Sequence, residues 1–162
     1  MRYVIAVLGV ALGAAFLAPV ASATPPTFYP RTSGDFVVSD SCPFPVAVHN
    51  VVDNGVIKVF SDGRAMSTGS LKDRVTNLET GKSELINVSG PSFRTRNPDG
   101  TTTYRFEGLT ELPLSPGELG PGSPGQFLVL SGPNTFTYDA NGHLVDFSLG
   151  GGIVRDICAD LA

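Results

Sequence analysis

Tryptophan is absent from the 162 residues, and cysteine, histidine and methionine occur only twice each. Each scarcity removes a class of function. Without Trp, the strongest stacking ring for a sugar is missing, which weakens the case for a polysaccharide-binding platform. Two cysteines with no histidine beside them do not make a metal site. No phosphate loop, metal-ligand spacing or paired-carboxylate motif occurs elsewhere, so no metal and no cofactor is expected. His49 and His143 are the only candidates for a histidine general base, with Asp53 or Asp146 near in sequence. No nucleophile elbow accompanies them. Gly122-Ser123-Pro124-Gly125 has Pro121 where Gly-x-Ser-x-Gly requires glycine, and no catalytic residue is assigned.

Charge is sparse as well. Asp, Glu, Lys and Arg make up 16% of the chain, with a net charge of −4. Phosphate binding draws its affinity from Lys and Arg, so nucleic acid is excluded as a partner. So few charges also fail to describe a charge-driven disordered segment.

What the chain does have begins at its start. Met1-Arg2 is followed by an apolar run from Tyr3 to Val20 and by the small residues Ala21-Ser22-Ala23. That is the three-part pattern of a secretory signal peptide, residues 1–23, cleaved before Thr24. The run is interrupted by Gly9, Gly13 and Pro19 and reaches only the short limit of a membrane span. No cysteine stands at the cleavage point to carry a lipid. The expectation is a secreted, extracellular, soluble monomer with no membrane span after cleavage. In that oxidising compartment an even cysteine count suggests one disulfide, Cys42–Cys158, against the alternative of two separately buried thiols.

Residues 24–33 contain Pro25, Pro26 and Pro30 and read as an extended, loosely held lead-in. From residue 34 to 162 the pattern is β throughout. Short runs rich in Val, Ile, Phe, Thr and Tyr alternate with turn signals at Asp53-Asn54-Gly55, Ser61-Asp62-Gly63, Glu79-Thr80-Gly81, Pro98-Asp99-Gly100 and Ala140-Asn141-Gly142. Eleven strands are expected, from Phe36–Ser39 through Gln126–Ser131 to Ile153–Asp156, with a short helical turn near Ile157–Leu161. The fold class is all-β: one antiparallel meander domain closing into a small β-barrel, or alternatively a two-sheet β-sandwich. Residues 111–125 form a long Pro/Gly-rich loop within that domain. Ser89-Gly90-Pro91 before a hairpin tipped by Gly100 is echoed 42 residues later by Ser131-Gly132-Pro133 and Gly142, which implies a repeated corner and hairpin.

Strand alternation offers two candidate sites. Pairing about Asn97–Gly100 would put Phe93, Thr95, Thr102, Tyr104 and Phe106 on one face of a hairpin and Arg94, Arg96 and Arg105 on the other. Three guanidinium groups on one face could grip an anion, or simply form a solvated outer face. In the last hairpin Phe136, Tyr138, Val145 and Phe147 align on a core face. If a barrel forms, Phe93, Tyr104, Phe106, Phe136, Tyr138 and Phe147 become candidates to line its cavity. Three functions stay open: a non-catalytic module that binds an unknown small molecule or an extracellular protein or envelope partner, a secreted hydrolase of unfamiliar type, and an extracellular inhibitor or host-interaction protein acting through the 111–125 loop.

Several short motifs carry a resemblance. Cys42-Pro43-Phe44-Pro45-Val46 opens the mature domain, Val75-Thr76-Asn77-Leu78 leads to a turn and Ser89-Gly90-Pro91, and Phe136–Gly142 and Asp156-Ile157-Cys158-Ala159 close the chain. Together they resemble a group of small exported actinobacterial proteins of unassigned function. The resemblance implies a Cys-to-Cys β domain and carries over no site residue.

Overall fold

The computed structural model describes residues 24–162, and the expected signal peptide at 1–23 lies outside the described residues. The chain runs through β1 (Thr27–Pro30), β2 (Phe36–Val38), β3 (Val46–Asp53), β4 (Val56–Val59), β5 (Ala65–Thr68), β6 (Leu71–Asn77), β7 (Ser83–Asn87), β8 (Ser92–Arg96), β9 (Thr102–Phe106), β10 (Leu109–Leu114), β11 (Gln126–Ser131), β12 (Asn134–Tyr138), β13 (Leu144–Leu149), β14 (Ile153–Asp156) and one helical turn, α1 (Ile157–Leu161). The fold is all-β as expected. Its strands form three antiparallel sheets, ordered β1-β4-β5-β8-β9-β12-β13, β10-β11-β14 and β2-β3-β6-β7, and none of the three closes on itself into a barrel.

The three-stranded sheet is the middle layer, and β11 explains why. Phe127, Leu128, Val129 and Leu130 are all buried, a continuous apolar run rather than an alternating one, as a strand covered on both faces requires. Phe127 and Val129 enter one core with Val46, Val48, Val75 and Ile86 of the four-stranded sheet. Leu128 and Leu130 enter a second core with Leu112, Leu114 and Phe136, against the seven-stranded sheet.

The two ends of the domain are tied into the first core. Ile157 and Leu161 of α1 are fully buried, and Asp156 caps the turn by accepting a hydrogen bond from the Ala159 N–H at 3.2 Å. Cys42 and Cys158 form the expected disulfide, 116 residues apart in sequence. Closing so long a loop stabilises by roughly 4–5 kcal/mol in the chain-entropy account. Buried Asn77 donates to the Leu161 carbonyl at 3.0 Å, so the helix end is not left unpaired.

Several expectations need correction. The lead-in is not loose throughout: Thr27–Pro30 pairs with β4 along its whole length. Leu109–Leu114 is strand β10, so the Pro/Gly-rich loop starts only at residue 115. Pro113 hid this strand, but β10 is an edge strand, where a missing N–H costs no ladder bond. Ala65–Thr68 was missed because it lacks an apolar β-branched run. Asp53-Asn54-Gly55 is no hairpin tip. There the chain leaves the four-stranded sheet for the seven-stranded one.

Crossings of this kind set the position of glycine as firmly as the turns do. At the corner leading into β8, a Cβ on Gly90 would stand 2.5 Å from the Cα of Gly108, where β9 leaves for β10. Two strands exchange sheets side by side there, and only glycine on both lets the backbones touch.

Candidate functional site

The register of β8 and β9 decides what their side chains can do together. The turn is closed by Asn97 N–H to the Thr101 carbonyl at 2.9 Å, with Gly100 at φ +87°. Three residues span it, not two, which shifts the pairing by one and swaps the face of one strand relative to the other. Arg94 therefore lies opposite Tyr104, Arg96 opposite Thr102 and Phe93 opposite Arg105. The three arginines do not share a face. Arg105 is on the outer face, paired with Glu107 and 6.0 Å above the Phe93 ring. Arg94 and Arg96 stand on the inner face, exposed and, among the described residues, without an acidic ion-pair partner.

Followed across the sheet, that inner face changes character. Ala65, Arg94, Tyr104 and Phe136 lie directly opposite one another on β5, β8, β9 and β12. Phe136 is 1% exposed, covered by the middle sheet. Tyr104 is half-buried and Arg94 is exposed. Seven strands face a cover of three, so the inner face is buried at β12 and opens at β8, while Ala65 on β5 is itself buried. The step between covered and open sheet is a cleft, with edge strand β10 as its wall.

Of the aromatic residues expected to line a cavity, four converge here. Tyr104, Phe106, Phe136 and Tyr138 line a space of about 280 Å³ beside Glu111 and Pro113. Tyr104 meets Tyr138 edge-on at 5.9 Å and Phe106 meets Phe136 at 6.0 Å. Two do not. Phe93 is on the outer face, and Phe147 sits on edge strand β13 with 40% of its surface exposed. A bulge at Val145 turns that residue out, 56% exposed, while Leu144 takes the inner position against Tyr138.

Three further spaces continue the first. One of about 280 Å³ lies where all three sheets meet, between Ser67 and Ser92, Leu71 and Val88, and Glu111. One of about 140 Å³ joins Ser67 and Ser92 to Arg94 and Tyr104. The widest, about 410 Å³, opens between Tyr104, Arg94, Arg96 and the Asp62-Gly63 turn. Neighbouring spaces have Tyr104, Phe106, Ser67, Ser92, Arg94 or Glu111 in common, so they lie side by side, and we describe them together as a groove between the Arg94 and Arg96 pair and the Glu111 carboxyl.

Glu111 is that carboxyl. Burial, and secondarily the charge of Asp73, push its pKa up to about 8, and its Oε2 is sealed from solvent with no hydrogen-bond partner. Asp73, 3% exposed on β6, is also raised by burial, against a 2.9 Å bond from Asn50 Nδ2. Beside them Arg31 and Asp53 form a braced pair. The Arg31 guanidinium reaches Asp53 Oδ1 at 2.8 Å and the Ser70 carbonyl at 3.0 Å. Burial raises Asp53, but bonds from the Gly55 N–H, Ser33 and Arg31 outweigh it and hold the carboxyl below its usual range. Arg31 is thus committed to Asp53, which leaves Glu111 as the unsatisfied group at the groove's inner end.

Sequence reasoning passed over Glu111 and Asp73. The signal was present in Leu109-Thr110-Glu111-Leu112-Pro113-Leu114, where a lone acid interrupts an alternating apolar run. Read as the start of a loop, it lost its meaning.

The histidines stand apart. His49 bonds Asp35 at 2.6 Å and His143 approaches Asp139 at 3.3 Å; both are exposed, and neither lines the groove. Asp53 and Asp146 are not their partners. Among the described residues no group of three His, Cys, Asp or Glu side chains could hold a metal, and no helix is long and apolar enough to cross a membrane. Comparisons with family models, with curated proteins and with solved structures find no match to the chain.

Proposed function

We propose that this protein is a secreted, non-catalytic β-domain module that binds a small molecule in the groove between its seven-stranded and middle sheets. The observation that carries the reading is the mismatch in sheet width. It leaves Tyr104, Phe106 and Tyr138 half-buried beside a sealed, unpaired Glu111, although a domain with a disulfide and two packed cores has the means to close such a space. Apolar walls with a few convergent polar groups are the usual form of a small-ligand site. The signal-peptide pattern and the disulfide together support an extracellular location. Neither histidine reaches the groove, so the hydrolase reading built on them finds no support there and binding is preferred.

A fragment screen read by amide chemical shifts tests this. Shifts should cluster on Ser67, Ser92, Tyr104, Phe106 and Glu111. Hits confined to the 115–125 loop would favour the inhibitor reading instead. The mass of the protein recovered from culture medium should correspond to a chain starting near Thr24.

A further inference from the structure

Resting on that groove reading, we infer the class of its ligand: an amphiphilic anion, with its acidic group held at the mouth by Arg94 and Arg96 and an aromatic or alicyclic body lying along Tyr104 and Phe106 toward Glu111.

The charge distribution argues for an anion. The chain is acidic overall, yet Arg94 and Arg96, neither of which has an acidic ion-pair partner among the described residues, stand together at the wide end of the groove. Asp62, the acid nearest them in that space, is occupied by Arg64, whose Nε lies 2.7 Å from its carboxylate. Arg94 and Arg96 are two apart on one strand and so point the same way, about 7 Å apart. Two forked guanidiniums at that spacing suit one carboxylate, sulfonate or phosphate.

The inner end argues for the body of the ligand. From Arg96 to Ser92 the floor runs four residues of strand, roughly 13 Å. Tyr104 and Phe106 stack along it with ring centres 6.5 Å apart and planes within 16° of each other. That is a surface for a flat apolar group rather than for a second charge. At the end, burial pushes the pKa of Glu111 up to about 8, so the inner end holds no full negative charge to repel a ligand at neutral pH. The groove thus sorts ligands by charge at the mouth and by shape along its length.

Two fluorescent dyes with the same ring system test the inference on the full disulfide-bonded protein: anilinonaphthalenesulfonate, an anion, and phenylnaphthylamine, which lacks the sulfonate. The sulfonate dye should bind about tenfold or more tightly, the effect of one or two charge-assisted bonds. The exposed pair Arg94→Gln/Arg96→Gln should remove that preference and leave the neutral dye's affinity unchanged. Tyr104→Leu, which retains apolar bulk, should weaken both dyes. Phe147→Ser, on the exposed edge strand, should change neither. Equal affinity for the two dyes, or a preference that survives loss of both arginines, overturns the anion inference while Tyr104 dependence keeps the groove reading alive. Absence of binding by either dye, or loss of both signals in Phe147→Ser, overturns the groove reading itself.

Discussion

Hairpins β8–β9 and β12–β13 enter the seven-stranded sheet after the same Ser-Gly-Pro sequence, with a cis peptide only at the second, Gly132-Pro133, and turn on the same kind of three-residue loop. Asn97 is joined to Thr101, and Asp139 to His143, by N–H to carbonyl bonds of 2.9 Å, with Gly100 and Gly142 at φ +87° and +86°. At the offset of 42 that relates the corners, Arg94 corresponds to Phe136 and Arg96 to Tyr138. The later pair lies beneath the middle sheet and the earlier pair beyond its edge. One local architecture is therefore written twice, with aromatic residues where it is covered and arginine where it is open. The difference locates function: the covered copy makes core, and the open copy makes the mouth of a groove.

Exchanging the marker residues breaks this comparison most severely. Phe136→Arg would force a guanidinium into a position 1% exposed, in the core beneath the middle sheet. A loss on the order of 4 kcal/mol or more is expected, enough to abolish cooperative folding in a denaturant titration. The reciprocal Arg94→Phe should change stability by less than about 1 kcal/mol, because its site is solvent-exposed. Comparable losses from both exchanges would mean the two hairpins are equally covered.

A smaller effect is expected at the wall that separates the covered from the open region. Glu111 titrates near 8 in the fold and near its ordinary value in the unfolded chain. The sign follows from the protons. Below about pH 4 both states hold the proton and the burial of Glu111 carries no ionisation penalty. As pH rises toward 8 the unfolded chain ionises and the fold does not, so stability is lost across that window. Asp73, also raised by burial, acts in the same direction. Glu111→Gln should remove most of the slope. Its advantage over the parent at pH 8, measured relative to the two proteins at pH 4.5, should be on the order of 2–4 kcal/mol by urea denaturation. Taking the difference between the two pH values cancels whatever the amide itself costs. Parallel pH profiles for parent and variant would place the carboxyl in water and remove the wall's polar feature.

The β class, the disulfide and the helical turn at Ile157–Leu161 were legible in the sequence because each rests on a local or countable signal. The candidate site was legible only in pieces. Tyr104, Phe106, Phe136 and Tyr138 were named from alternation, and four of the six aromatics do line the groove. Arg105 was misplaced beside Arg94 and Arg96 because one extra turn residue reverses a face, and turn length at Asn-Pro-Asp-Gly is not set by composition. Phe147 and Val145 were misplaced because a bulge and an edge position are properties of the assembled sheet. Glu111 escaped notice because its burial depends on three sheets meeting, through residues such as Ser67, Leu71 and Ser92 that are distant from it in sequence.

The smallest effect sharpens the comparison from the other side, by asking whether the two turns are as alike as their geometry. Gly100 and Gly142 both adopt a backbone conformation that an L side chain takes at a cost, and open space surrounds the Cβ each would acquire. Sterics cannot then distinguish them, and only the left-handed conformation is charged: about 1 kcal/mol for Gly100→Ala and the same for Gly142→Ala. Their surroundings differ, since β8–β9 is flanked by strands on both sides while β13 is an edge with one neighbour. If the turn is a self-contained unit, the two losses should agree within about 0.5 kcal/mol, the scatter expected for independent sites. A much smaller loss at Gly142 would show that the edge hairpin relieves strain by fraying, so that the copy with the better-buried aromatic is nonetheless the softer of the two.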